Sequence, residues 1–130
     1  MEKNSKQLKP ARLIDFLPGK TSRDQSPLLI GVLAGTGIGR EVVGAALQVL
    51  KAVEAVTKLR FEVHQGGLIG DDANKEHGQW LPEDTVEFCA DVFERGGAIL
   101  NGPGGGRYVY DLRRRFDLFC KFVPVRPPQS

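Results

Sequence analysis

An α/β fold, with a mostly parallel sheet flanked by helices, is what this 130-residue sequence predicts. Three observations carry the expectation. The continuous apolar run Leu28-Leu29-Ile30-Gly31-Val32-Leu33 suits a strand buried on both faces. A glycine turn and a helix-periodic stretch follow it directly, so the order is strand, turn, helix. A second short apolar run, Ala98-Ile99-Leu100, again leads into a glycine-rich loop.

The elements follow in order. Val43, Ala46, Leu47, Leu50 and Val53 recur at helical spacing to about Thr57, with Gln48, Lys51 and Glu54 outside that stripe, which predicts an amphipathic helix packed on the sheet. Arg60-Phe61-Glu62-Val63-His64 alternates polar and apolar residues like a half-exposed strand. Pro82 fits the first turn of another helix, with Glu83 and Asp84 suited to its positive end and Val86, Cys89, Ala90 and Phe93 on one face. Gly96-Gly97 ends it. A third helix is expected near Val109 to Arg115 and a last strand over Leu118 to Val125.

Residues 1 to 27 differ in character: Lys3, Lys6, Lys9, Arg12, Lys20 and Arg23 stand among Asn, Ser and Gln, and a flexible basic extension is expected. Within it Pro18-Gly19-Lys20-Thr21 suggests a P-loop, but that motif needs a glycine where Ile14 stands and a strand leading in. Residues 28–126 form the expected α/β unit and 127–130 a tail.

Composition narrows the classes. Hydrophobic residues at 41% and charged residues at 26% are ordinary globular usage, and no apolar run reaches the roughly 18 residues of a membrane span. A formal charge of +2 is too small to argue for nucleic acid. Cys89 and Cys120 fall in an expected helix and an expected strand, which favours buried thiols over a disulfide. No secretory signal is visible, so the cytoplasm is the default compartment. His64, in an alternating strand, and His77, in a polar loop before Gly78, have no carboxylate or cysteine neighbours at ligand spacing, Asp71 and Asp72 suit capping or hydrating a turn, and no metal site is assigned. Trp80 is expected to pack beside Leu81 as a surface anchor.

The chemistry concentrates in the glycine segments. In Gly35-Thr36-Gly37-Ile38-Gly39-Arg40-Glu41, three glycines in five residues allow positive φ and bring N–H groups close to a guest. The helix beginning near Ile38 points its partial positive charge at the same place, so an anionic small molecule suits it. A merely tight turn between strand and helix fits the same spacing, because a dinucleotide fingerprint needs Gly or Ala where Arg40 stands. Gly102-Pro103-Gly104-Gly105-Gly106 lies at the same, carboxyl, edge, where open α/β sheets collect ligands; a flexible connector is the alternative. Arg113, Arg114 and Arg115 splay by about 100° each on a helix and cannot converge on one ligand. The alternative for them is a solvated helix end.

Five blocks in fixed order resemble the β-decarboxylating dehydrogenases, the isocitrate, isopropylmalate and tartrate dehydrogenase family. They are the first turn, similar to that family's P-G-D-G-I-G-P-E; Gly66-Gly67; His77-Gly78 with Leu81-Pro82-Glu83-Asp84-Thr85; Ala98 to Gly105; and Leu112-Arg113-Arg114-Arg115-Phe116-Asp117-Leu118-Phe119. The resemblance covers roughly residues 28 to 126 and implies the N-terminal portion of an isopropylmalate dehydrogenase-like fold. It implies NAD or NADP with Mg2+ or Mn2+, a small hydroxy acid as substrate, and a homodimer or a completing chain as partner. It also implies cofactor binding by Gly35, Gly37, Ile38 and Gly39 of the first turn and by Gly104 and Gly105 of the second loop.

Arg113 holds the position of the family's first substrate arginine, and its planar fork suits a carboxylate. The family's second arginine is replaced by Val123. Lys121, two residues earlier on the same strand face and about 7 Å away, is the candidate replacement, with Arg126 weaker on the opposite face. An altered substrate or lost activity is the alternative reading of Val123. Thr36 stands for the family's Asp and Arg40 for its Pro, and the segment between the glycine loop and Arg113 is shorter than usual. The family's catalytic Tyr and Lys and its metal-binding aspartates have no counterpart in these 130 residues, so no catalytic residue is assigned. Three readings follow: the N-terminal portion of a dehydrogenase, inactive alone; a non-catalytic anion-binding or regulatory subunit; or a structural remnant. A severed domain is expected to expose an apolar flank.

Overall fold

The computed structural model describes residues 26–118. The basic extension, Cys120, Lys121, Val123, Arg126, the tail, and the expected strand beyond Leu118 lie outside the described residues.

Three parallel strands form one sheet in the order β2-β1-β3, with β1 Leu28–Leu33 central, β2 Phe61–Gln65 on one side and β3 Ala98–Asn101 on the other. Four helices connect and follow them: α1 Gly39–Val56, α2 Gly70–His77, α3 Glu83–Glu94 and α4 Tyr108–Arg115. Register pairs Ile30 with Val63 and with Ala98, so the strands rise together and all end at one edge. Parallel strands need crossovers, and α1 supplies the first and α2 with α3 the second.

Because side chains alternate along a strand, β1 serves two layers. On one face a Cβ at Gly31 would run into Val92 and Phe88 of α3 and Ile99 of β3. The core on this side joins Leu33, Ile69, Cys89, Tyr108 and Leu112, with Phe93 and Phe116 packed edge to face at 5.1 Å. On the other face Ile30 shares a groove with Ala46, Val49 and Leu50 of α1, whose stripe Val43, Ala46, Leu47, Leu50 and Val53 is buried or half-buried as its spacing predicts. The β2 edge is charged: Glu62 Oε1 accepts from Arg95 at 2.8 Å and lies 2.7 Å from His64 Nε2. Arg95, then His64, hold the Glu62 carboxyl below its usual range.

The structure corrects the reading of residues 70–77. They form a helix with Asp71 and Asp72 in its first turn, so His77 ends a helix rather than lying in a polar loop. Ala73 and Gly70 are its buried residues, which is why no apolar stripe announced it. Its ends are set by charge and by Gly78, whose N–H donates to Asn74 O from the left-handed region.

The thiol of Cys89 is fully buried in α3, as its apolar neighbours led one to expect, and burial pushes it up to about 11. The folded state therefore disfavours the thiolate, a contribution to stability held below the ordinary thiol value near 9 and lost as the pH rises past it. In a Cys120→Ser background, a thiol reagent at pH 8 should leave Cys89 unlabelled until denaturant opens the core; rapid labelling of the native protein would refute this placement. At the end of α4 the Leu118 N–H bonds Arg113 O across Asp117, which sits at φ 50 where glycine is usual. Asp117→Gly should raise the denaturation free energy by about 0.5–1 kcal/mol.

Candidate functional site

All three strands deliver their chains to the carboxyl edge, and the glycine segments meet there. The chain passes from β1 out to β2 and back across to β3, so the order reverses between β1 and β3. That is the place where open α/β sheets form a crevice. Here the crevice is filled by backbone. The Thr36 N–H donates to Pro103 O at 2.7 Å, and the Gly102 N–H donates to Leu33 O at 2.8 Å. Gly35 takes φ +80, and a Cβ on it would overlap Pro103 O; a Cβ on Gly102 would overlap Ala34 O. The second loop is thus no loose connector at this end but the first turn's packing partner.

The remaining glycines divide by what stands over them. A Cβ on Gly39 would meet Ala34 O, one on Gly104 the Tyr108 ring at 2.8 Å, and one on Gly105 the Asp71 carboxylate. Gly70, at the start of α2, lies against Gly105, where an added Cβ would come within 2.9 Å of its N and O. Gly37 is different: at φ +58 it has nothing within 4 Å of an added Cβ, and the neighbouring Ile38 is 66% exposed. Of the six positions expected to bind cofactor, Gly35, Gly39, Gly104 and Gly105 therefore have protein packed where a side chain would stand. Gly37 and Ile38 have open space before them. Backbone bonds at the head of α1 run from Gly39 N to Thr36 O and from Glu41 and Val42 N to Ile38 O. What the turn offers outward is the Gly37–Ile38 peptide segment and the positive end of α1.

Two side chains hold the second loop: Tyr108, which sequence reasoning passed over, and Trp80. Tyr108, 2% exposed, places its hydroxyl 3.2 Å from both Gly102 O and Asn101 Oδ1, with one proton to donate to either. Burial raises its phenol above the usual value. Trp80 lies not simply beside Leu81: its indole covers Gly106, and its carbonyl accepts the Gly70 N–H at 2.9 Å. The motif Leu81 to Thr85 gains a reason as well, since the buried Thr85 Oγ1 donates to Leu68 O at 2.9 Å and ties the start of α3 to the chain leaving β2.

The arginines separate as helical geometry requires. Tyr108 and Leu112 are the buried stripe of α4. Arg115 pairs with Glu83 of α3. Arg114, 200° from Leu112, lies opposite the stripe, and Arg113, at about 100°, flanks it. Arg113 and Arg114 are exposed, and among the described residues neither forms an ion pair with Asp117. Arg107 instead stacks on the exposed Tyr110 ring, 5.9 Å from its centroid. Among the described residues no three His, Cys, Asp or Glu side chains gather to hold a metal ion, so this part of the chain does not by itself fit one. None of its helices is long and apolar enough to cross a membrane.

Gly35→Ala and Gly37→Ala separate the two roles of the first turn. The former should cost more than about 3 kcal/mol, combining a positive φ with backbone overlap, and the latter about 1–2 kcal/mol from φ alone. Chemical denaturation of both variants checks the order; equal losses would mean that the two loops do not pack together.

Comparison with known proteins identifies a family. The family model for isocitrate/isopropylmalate dehydrogenase matches residues 29–128. The 3-isopropylmalate dehydrogenase of Desulfotalea psychrophila is 40% identical over 112 residues, covering 75% of this chain and 30% of that protein. That of Bacillus subtilis is 36% identical over 114 residues, covering 78% and 30%, and that of Aquifex aeolicus 33% over 110, covering 75% and 29%. The chain spans about 30% of the length of the curated relatives it matches. With the family model matching residues 29–128 and relatives such as that of Desulfotalea psychrophila 40% identical over 75% of its length, this chain belongs to the isocitrate/isopropylmalate dehydrogenase family.

Proposed function

We propose that this chain is the N-terminal portion of an NAD(P)-dependent β-decarboxylating dehydrogenase acting on a 2-hydroxy di- or tricarboxylic acid of the isopropylmalate, isocitrate or tartrate type. The observation that carries the reading is the open peptide face of Gly37–Ile38 at the head of α1, held in place by the packed second loop. The family match and the 3-isopropylmalate dehydrogenase relatives support the same class.

In this reading the protein's part is binding and orientation. The positive end of α1 and the Gly37–Ile38 amides attract a negatively charged or carbonyl-bearing group. Gly35, Gly39, Gly104 and Gly105 act behind them by allowing the loops to close on each other. Arg113 holds a substrate carboxylate through two parallel hydrogen bonds, with Lys121 supplying the second cation where the family has an arginine. Orientation of this kind counts because a reacting bond misaligned by an ångström loses much of the benefit of binding. The bound dinucleotide would accept the hydride. A divalent ion has no ligand set among the described residues. Segments of the fold that this chain does not span would supply that ion's ligands and the proton-transfer groups, leaving the 130 residues catalytically silent by themselves.

A non-catalytic subunit that keeps only the anion-binding turn is the second reading, favoured by Thr36, Arg40 and Val123 in place of the family's Asp, Pro and Arg. Both readings predict that malate or citrate raises the melting temperature of the purified chain, and that Arg113→Ala or Lys121→Ala reduces the shift. Unchanged binding in both variants would remove the proposed carboxylate site. The first reading further predicts no turnover of a hydroxy-diacid by the isolated chain with NAD and Mg2+. Turnover would show that the catalytic groups lie within these residues.

A further inference from the structure

The outward face of α3 is built of carboxylates. Glu83, Asp84, Glu87, Asp91 and Glu94 are its exposed residues, and the helix holds no Lys or Arg. Asp84, Glu87, Asp91 and Glu94 recur at steps of three and four, so they stand in one stripe opposite the buried Val86, Cys89 and Val92. Two of the five have partners: Glu83 pairs with Arg115, and Asp91 with Arg95, 3.3 Å away, which also holds Glu62. Among the described residues Asp84, Glu87 and Glu94 form no ion pair. The last turn adds to the excess, since Asp91 and Glu94 stand near the negative end of the helix dipole, where cations are favoured.

A cationic segment of the same chain joins the fold where this stripe ends. Residues 1–25, which lie outside the described residues, carry Lys3, Lys6, Lys9, Arg12, Lys20 and Arg23 against Glu2, Asp15 and Asp24. They meet the described fold at Ser26, just before β1. The start of β1 lies beside the C-terminal end of α3: a Cβ added to Gly97, close after Glu94, would come 2.8 Å from the Leu29 side chain. A helix of 12 residues is about 18 Å long, a distance that about six extended residues cover. Lys20 and Arg23 therefore fall within reach of Asp91 and Glu94, and the cations before them within reach of Glu87 and Asp84.

We propose that residues 1–25 dock along the outward face of α3, with their Lys and Arg side chains paired to Asp84, Glu87 and Glu94. Exposed ion pairs are individually weak, and tethering is what populates the contact, because a segment joined so close to its site is presented at an effective concentration on the order of millimolar. Gly31 faces α3 while Ile30 faces α1, so α3 covers the face of the sheet opposite α1. The docked segment thus stands clear of Gly37 and Ile38 at the head of α1, and its docking is independent of what that turn binds.

The test uses the whole chain with Cys120→Ser and Gln7→Cys, a nitroxide being attached at position 7 while Cys89 stays buried. Amide spectra at low salt should show paramagnetic broadening at Asp84, Glu87 and Asp91. In about 1 M salt, where the screening length falls to about 3 Å, the effect should drop at least about threefold. Glu87→Lys combined with Glu94→Lys, both at exposed positions, should produce the same drop at low salt with the circular dichroism spectrum unchanged. Glu41→Lys combined with Glu76→Lys, an equal change of charge on α1 and α2, should leave the broadening intact. Broadening that is absent, is spread evenly over the surface or centres on α1 or the carboxyl edge overturns the proposal. So does broadening that survives the salt or the reversal on α3, or that a mixture of nitroxide-bearing and isotope-labelled chains traces to contacts between molecules.

Discussion

Direct packing of one glycine backbone on another governs the rest of this structure. With Gly35 against Pro103 and Gly102 against Ala34, the turn after β1 and the loop after β3 behave as a single piece, pinned by the Thr36 to Pro103 hydrogen bond. Side chains at these positions would hold the strands' ends apart. Their absence lets the place where an α/β sheet ordinarily opens close over its own main chain, and shifts the exposed amides to the outer side of the turn at Gly37 and Ile38.

The family's signature blocks acquire a common physical purpose in that light. Gly66-Gly67 fits beneath Phe88 and Thr85, the latter bonded to Leu68; Tyr108 and Trp80 clamp the second loop from two sides; and Glu83 fixes the end of α4 through Arg115. Much of what looks like a ligand motif in the sequence is the scaffold that holds a short ligand-facing segment still. A static scaffold of this kind suits a reaction in which orientation of a small carboxylated molecule matters more than enclosure by the same segment.

Legibility followed the strength of the local signal. β1 and α1 were readable because an unbroken apolar run and an apolar stripe of period 3.6 each correspond to one kind of burial. β3 was readable from its apolar run and the glycines around it. α2 was not, because eight residues with Ala73 as their one buried side chain beyond Gly70 leave no periodicity, and its evidence lay in charge order and in Gly78. The candidate site was legible in outline only. Spacing located the turn and the loop, but nothing local could tell that Gly35 faces Pro103 while Gly37 faces open space, since that depends on strands 70 residues apart in sequence being neighbours. Tyr108 went unnoticed, and Trp80 was given only a surface place beside Leu81, for the same reason: their roles are contacts across the fold.

The central claim is that the packed loops present Gly37 and Ile38 to a carboxylated metabolite. Amide-resolved nuclear magnetic resonance of the 130-residue chain titrated with malate tests it most directly. The account predicts saturable shifts at the Gly37 and Ile38 amides, with the Thr36 amide protected from solvent exchange before and after the addition. Shifts confined to other regions, or a Thr36 amide that exchanges freely, would contradict it.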